Sequence, residues 1–361
     1  MENLVNLNQL SAYYKGKKVF VTGHTGFKGA WLVSWLNVLG AEVKGYSLAP
    51  EYENGLYQTL LPKKIVNSVI ADIRNRELMI SEITDFKPDF VFHLAAQALV
   101  RRSYKIPSET FDVNVTGTAN VLEAVSKLQN KCTVVAITTD KVYHNKEQDI
   151  LYNEDDRLGG YDPYSASKAC AELVISSFRD SFFNPAVYTA HNKAVASARA
   201  GNVIGGGDWS EDRIIPDIVR ALQTNREIEV RNPVSVRPWQ HVLEPVGGYL
   251  LLGGLLNNDP AKYSKAYNFG PLPGDHLTVK ELAESAVKTW GSGAWKDASL
   301  PGQQHEATLL KLDISRAMHE LNWHPRLSAN TAIEWTIDWY RQPADQQADF
   351  TFKQINDFLR K

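Results

Sequence analysis

Tyr164 and Lys168 stand four residues apart in Tyr164-Ser165-Ala166-Ser167-Lys168, a spacing that puts a phenol and an ammonium on one face of a helix. A phenol with a pKa of about 10 is a poor base at neutral pH, but a neighbouring cation favours the phenolate, and lowering a pKa by one takes about 1.4 kcal/mol of such interaction. So arranged, Tyr164 can accept the proton of a hydroxyl. On an exposed helix the same pair would simply be solvated, so its meaning depends on what else the chain brings near it. Upstream, Thr138-Thr139-Asp140-Lys141-Val142-Tyr143 follows an apolar run that reads as a strand. The carboxyl end of such a strand is where open α/β sheets expose their ligand crevice. A hydroxyl, an acid and an amine are adjacent there; the plainer alternative is a solvated Asp-Lys turn.

A third group precedes both. Residues 17–22 read as a strand that runs into Gly23-His24-Thr25-Gly26-Phe27-Lys28-Gly29 and then into a helical pattern carrying Trp31 and Leu32. Glycines in that context allow a tight turn and close backbone approach to a pyrophosphate, and the helix that follows offers free N–H groups and a positive dipole end. The same residues would also serve as an ordinary turn between strand and helix. The spacing is GxxGxxG and lacks a Gly-Lys-Ser/Thr ending, so it points to a dinucleotide rather than to a nucleoside triphosphate. At the end of the second strand, Gly45-Tyr46-Ser47-Leu48 offers neither an acid for a ribose hydroxyl nor an Arg for a 2′-phosphate, so NAD and NADP are not separated there.

The elements that must position these groups follow from periodicity. Strands are expected at 17–22, 42–47, 65–70, 89–94, 133–138 and 194–199, with helical patterns between them, among them Trp31, Leu32, Trp35, Leu36 and Leu39. Short strands alternating with helices predict an α/β fold with a doubly wound, Rossmann-type parallel sheet. From about Gly201 the pattern changes to Gly, Pro, Trp and Arg clusters, notably Gly205-Gly206-Gly207-Asp208-Trp209 and Arg237-Pro238-Trp239, which predicts a smaller, loop-rich lobe. The expected division is 15–200 with a returning segment at about 234–262 for the sheet domain, and 201–233 with 263–345 for the lobe. The tail after Pro343 is compatible with a last helix.

Composition narrows the function. Lys plus Arg (39) nearly balance Asp plus Glu (41), which leaves no basic field for a nucleic-acid backbone. The N-terminal residues lack the basic start and apolar stretch of a signal peptide, and no apolar run is long enough to span a bilayer, so a cytoplasmic location and no membrane partner are expected. Cys132 and Cys170 suggest neither a disulfide framework nor a zinc site. The nine histidines show no HExxH spacing, and His305-Glu306 lacks a partner four residues on, so no catalytic metal is expected; His241 and His305 read as structural. Trp209 and Trp239 read as cover for a small core, with stacking on a base or sugar as the alternative.

The glycine loop and Tyr-Lys helix together resemble the extended short-chain dehydrogenases/reductases. Asp140 after Thr139 resembles the sugar-nucleotide 4,6-dehydratases of that superfamily, in which an acid protonates the departing C6 hydroxyl; the epimerases have small or hydroxyl residues there. Many dehydratases follow the acid with Glu as the C5 base, whereas this chain has Lys141. The Asp-Lys pair resembles the CDP-glucose branch, as do HLAAQALVRRSY at 93–104, GNVIGGGDWSEDRIIPD at 201–217 and RPWQHVLEP at 237–245.

The resemblance implies NAD as cofactor, with Asp72-Ile73 at its adenine ring, Leu94-Ala95-Ala96-Gln97 lining it and Lys168 holding the nicotinamide ribose. It implies that Thr139 holds the reacting sugar oxygen while Tyr164 takes the C4 hydroxyl proton. C5–H and C6–OH are then eliminated with Asp140 as acid, and the hydride taken from C4 returns to C6. The expected conversion is CDP-D-glucose to CDP-4-keto-6-deoxy-D-glucose and water, in deoxyhexose supply for lipopolysaccharide. Lys141 is read either as the C5 base, if neutral, or as a cation stabilising the enolate. Asn202, Arg213 and Arg237 fit the nucleotide diphosphate, because amides and planar cations grip phosphate oxygens. The resemblance also implies a homodimer. The alternatives are a nucleotide-sugar 4-epimerase, with no task for Asp140, and a non-catalytic NAD-binding sensor or scaffold.

Overall fold

The structure, a computed structural model, describes residues 7–299 and 310–361. Seven parallel strands form its main sheet: β1 (Lys18–Thr22), β2 (Glu42–Ser47), β3 (Asn67–Ile70), β4 (Phe90–His93), β5 (Cys132–Ile137), β6 (Lys193–Ala200) and β7 (Ala266–Phe269). Their spatial order is β7-β6-β5-β4-β1-β2-β3, which is the doubly wound Rossmann arrangement. The six strands expected from the sequence are present within a few residues. The seventh lies outside that expectation, and it corrects the division above: 266–269, placed in the lobe, is an edge strand of the main sheet.

Alternation along the strands supplies both faces with apolar groups. Val19, Val21, Phe90 and Phe92 join one core, with Trp31, Trp35 and Leu36 of the helix Phe27–Val38 and Val246, Leu250 and Leu251 of Leu243–Asn258. Phe20 and Val91 join the other, with Met79, Ile83, Val121, Val125 and Ile175 from the opposite helices. The tail forms the helix Gln347–Leu359, whose Phe358 meets Trp35 edge to face with centroids 5.6 Å apart. Trp209 and Trp239 are buried in the first core, and Trp209 lies edge-on to Tyr340 at 5.3 Å. His241 is buried between Trp31 and Trp335. Cys132 and Cys170 are free. No helix of the described residues is long and apolar enough to cross a membrane.

The sheet order reverses between β1 and β4, and this switch point leaves a crevice at the carboxyl ends of the strands. The loops after β1, β4 and β5 all open there.

Candidate active site

Gly23 turns the chain out of β1 at φ 77°, a left-handed conformation. A Cβ on Gly23 would stand 2.7 Å from the Ala95 amide nitrogen, so the loops after β1 and β4 are in backbone contact. Gly29 is tighter still, since its Cβ would lie 2.0 Å from the Gly23 carbonyl oxygen. The helix Phe27–Val38 begins after Gly26 with no side chain capping it. Its first-turn N–H groups and positive dipole end are therefore free for an anion, and the cradle fits a dinucleotide pyrophosphate.

The other loop residues serve this cradle differently. Thr25 bridges to Ser47 Oγ at 2.8 Å and donates to the Leu48 carbonyl at 2.9 Å. His24 is buried with Nε2 2.7 Å from Ser68 Oγ, and burial pulls its pKa down to about 4. A Cβ on Gly45 would strike its ring at 2.4 Å. Lys28 is brought down to about 7, first by desolvation and then by the cations Arg213, Lys168 and Lys141, with Asp140 opposing. Leu94 and Ala95 direct their amides at Thr22 Oγ1, each at 3.2 Å. Gln97 is fixed by Asn114, whose Oδ1 accepts from Gln97 N at 2.9 Å. The Asp72 carboxylate is gripped by Arg74 at 2.6 Å, which holds it below the usual carboxylate range, and the Ile73 side chain belongs to the core.

Tyr164 lies in the first turn of the helix Pro163–Ser181, which Asp162 caps by accepting from Ser165 N at 2.9 Å. Tyr164 and Lys168 are both buried. Desolvation raises the Tyr164 pKa, against the charge of Lys141, a hydrogen bond with Thr139 and the charge of Arg213. Lys168 donates to the Ile137 carbonyl at 3.3 Å, and burial brings its pKa down to about 8, with Glu172 opposing.

Asp140 is only 2% exposed. Thr139 Oγ1 donates to its Oδ1 at 2.8 Å, Lys141 Nζ approaches the same oxygen at 3.3 Å, and Asn202 Nδ2 approaches Oδ2 at 3.5 Å. The structure thus brings Thr139, Asp140, Lys141, Tyr164 and Asn202 into one constellation. Asn202 reaches it from a left-handed backbone at φ 51°. Arg213 lies 3.6 Å from Asp208 and acts electrostatically on both Tyr164 and Lys28. Arg237 occupies a short strand, and Pro238 and Gln240 beyond it line one cleft with Asp140, Gly201, Asn202, His276 and Lys311.

The sequence assigns no role to three buried polar residues behind this site. Asn114 sits in a π-helical turn within 107–126 and donates to Ser167 Oγ at 2.8 Å. His93 joins Thr22 at 2.7 Å and Thr118 at 3.0 Å. Glu172 follows Lys168 by four residues, the same spacing that singles out Tyr164 and Lys168, and is ion-paired with Arg199 at 2.9 Å. That spacing is the available signal for Glu172; no local pattern marks Asn114, and His93 enters only as the first residue of the 93–104 motif. Among the described residues no three His, Cys, Asp or Glu side chains gather as a metal site, and His305 lies outside them.

The sheet order, the glycine cradle at its switch point and the buried Tyr-Lys helix define an extended short-chain dehydrogenase/reductase. Within that class the chain belongs to the GDP-mannose 4,6 dehydratase family, which matches it over residues 20–336. It is 48% identical over 329 residues to the CDP-glucose 4,6-dehydratase of Salmonella typhimurium (strain LT2), covering 91% of this chain and 92% of that protein. Among solved structures it is similar to the dTDP-glucose 4,6-dehydratase of Streptomyces venezuelae with NAD bound, at TM-score 0.76 and 22% identity over 92% of this chain and 99% of that one. It is comparably similar to the UDP-glucose 4-epimerase of Thermotoga maritima, at TM-score 0.75 and 20% identity over 90% of this chain and 98% of that one. The fold is therefore common to dehydration and epimerisation, and the side chains must distinguish them.

Proposed function

We propose that this chain converts CDP-D-glucose to CDP-4-keto-6-deoxy-D-glucose and water. The observation that carries the reading is Asp140, a buried acid that touches Thr139, Lys141 and Asn202, on the turn whose Lys141 and Thr139 favour the phenolate of the nearby Tyr164. An epimerase would have no use for that acid, whereas elimination needs a proton delivered to the departing C6 hydroxyl. The 48% identical relative named for CDP-glucose supports the choice of substrate.

The cradle of Gly23, Gly26 and Gly29 holds the pyrophosphate of NAD, Asp72 lies at its adenine end, Leu94 to Gln97 line it, and Lys168 holds its nicotinamide ribose. NAD, when bound, supplies the oxidising and reducing equivalent that C4 gives up and C6 regains. Tyr164 removes the C4 hydroxyl proton while Thr139 orients that oxygen, and the cations around Tyr164 favour its phenolate against the cost of burial. The C4 ketone acidifies C5. The Asp140 carboxylate takes the C5 proton and passes it to the C6 oxygen, which leaves as water, while Lys141, ion-paired beside it, stabilises the enolate charge. Asn202, Arg213 and Arg237 grip the nucleotide diphosphate in the loop-rich lobe. The same reading makes the chain a cytoplasmic homodimer supplying deoxyhexose for lipopolysaccharide. Exposed Leu173 and Phe111, on the helix Pro163–Ser181 and within 107–126, support pairing of these helices with those of a second copy.

The test is incubation of the purified protein and NAD with CDP-, dTDP-, UDP- and GDP-linked glucose, with product masses recorded. Loss of one water from CDP-glucose alone is expected. Conversion without a change in mass would replace the reading with epimerisation, and preference for another base would overturn the assigned substrate.

A further inference from the structure

Thr139, Asp140 and Lys141 lie on a short turn whose two ends are tied to one buried ion pair. At the first end, Thr138 Oγ1 donates to Glu172 Oε1 at 2.5 Å. At the other end, Arg199 Nη1 donates to the Tyr143 hydroxyl at 2.9 Å, with the guanidinium 5.1 Å from the centroid of the same ring. Glu172 and Arg199 close the circuit through Nε to Oε1 at 3.0 Å and Nη2 to Oε2 at 2.9 Å. Ser197 Oγ adds a bond to Glu172 Oε2 at 2.8 Å, and the Glu154 carbonyl accepts from Arg199 at 3.1 Å. Both ion-pair residues are 4% exposed, so neither meets a ligand in the cleft. Glu172 also stands one helical turn beyond Lys168, so the circuit ties the acid's turn to the helix that carries Tyr164.

Stability does not account for this arrangement, because a buried ion pair loses about as much in desolvation as it gains in attraction, and apolar replacements are often neutral. Placement does account for it. A catalytic group displaced by about 1 Å can lose on the order of 100-fold in rate. We propose that the Glu172–Arg199 pair is a positioning clamp: by holding Thr138 and Tyr143 it fixes the turn between them, and so sets Asp140 in register with Tyr164. The clamp rests on the dehydratase reading above, since its work is to aim the acid of the elimination.

Thr138→Val and Tyr143→Phe each remove one tie while leaving the ion pair intact. They are made singly and together and assayed as the NAD-bound protein on CDP-glucose beside the wild type. Oxidation at C4 depends on Tyr164 and should survive, while water loss slows by about 10-fold or more in the double variant with little change in KM. Reduced nicotinamide should therefore accumulate on the double variant, and Thr138→Ser, which restores the hydroxyl, should regain wild-type turnover. The clamp is overturned if the double variant turns over within about twofold of wild type, or if both steps slow together and no reduced cofactor accumulates. If Thr138→Val does not fold, Tyr143→Phe carries the same two criteria alone. A wild-type protein that leaves CDP-glucose unchanged removes the reading beneath the clamp, whereas a dehydrating wild type with unaffected variants removes the clamp only.

Discussion

Gly201 lies so close to Asp140 that a Cβ added to it would stand 2.0 Å from the Asp140 carboxyl carbon. The acid is thus held from below by bare backbone as well as from the sides by Thr139 and Lys141. Gly201→Ala should displace the carboxyl and lower the rate of water loss by on the order of 100-fold. Asp140→Asn, which keeps the shape but cannot deliver the proton, should lose on the order of 100-fold or more, the contribution expected of general acid catalysis. In both variants, transfer of the C4 hydrogen in single turnovers should persist. Wild-type dehydration by either variant would show that Asp140 is not the acid.

Lys168 sets a pH limit. Burial has brought it down to about 8, and in the proposed reading its ammonium holds the nicotinamide ribose. As pH rises through about 8 the ammonium is lost, so turnover should fall on the alkaline side with an apparent pKa near that value. The Glu172 charge opposes this lowering. Glu172→Gln should therefore move the alkaline limb to lower pH in a profile of kcat against pH. A limb that stays in place would separate Glu172 from the charge of Lys168.

Lys141 distinguishes two chemistries. As a charge beside the enolate, it should be replaced in part by Arg and not by Met, so Lys141→Arg should keep more activity than Lys141→Met. A proton-transfer role at C5 would give equal losses, because guanidinium is not a base near neutrality. The measurement is the rate of water loss from CDP-glucose for the two variants.

The fold is legible in the sequence where local pattern and tertiary role agree. β1 to β6 alternate or run apolar between turn residues, and the glycine loop follows directly from β1. β7 is hidden by Asn268, which disfavours strand on its own account. In the fold it is fully buried and bonded to Tyr143 at 2.7 Å, to the Tyr152 carbonyl at 2.9 Å and to the Asp313 carbonyl at 3.1 Å, so tertiary hydrogen bonds override propensity. The acid and the Tyr-Lys pair are legible because each is local in sequence. Arg199 is not, because its partners Glu172 and Tyr143 lie 27 and 56 residues away and only the sheet brings them together.

Glu244 gives a stability test away from the chemistry. It is 1% exposed, Oε1 accepts from Arg326 N at 2.8 Å and Leu327 N at 2.7 Å, and burial pushes its pKa from 4.5 up to about 7. A raised folded pKa means that the folded protein binds more protons than the unfolded chain between those two values. Stability contributed by the neutral form is therefore present at low pH and lost as pH rises towards about 7. Glu244→Gln keeps the acceptor and removes the charge. It should abolish this slope and be more stable than wild type above neutrality by on the order of 3 kcal/mol, read from denaturant unfolding at several pH values.

The most direct test follows one hydrogen. CDP-glucose deuterated at C4 is converted by the NAD-bound protein, and the product is analysed by mass and by the position of the label. The product should be lighter by one water and carry the deuterium at C6, because the hydrogen leaves C4 and returns within one catalytic cycle. An unchanged mass with the label still at C4 would mean epimerisation, and loss of the label to solvent would contradict the internal transfer on which the account rests.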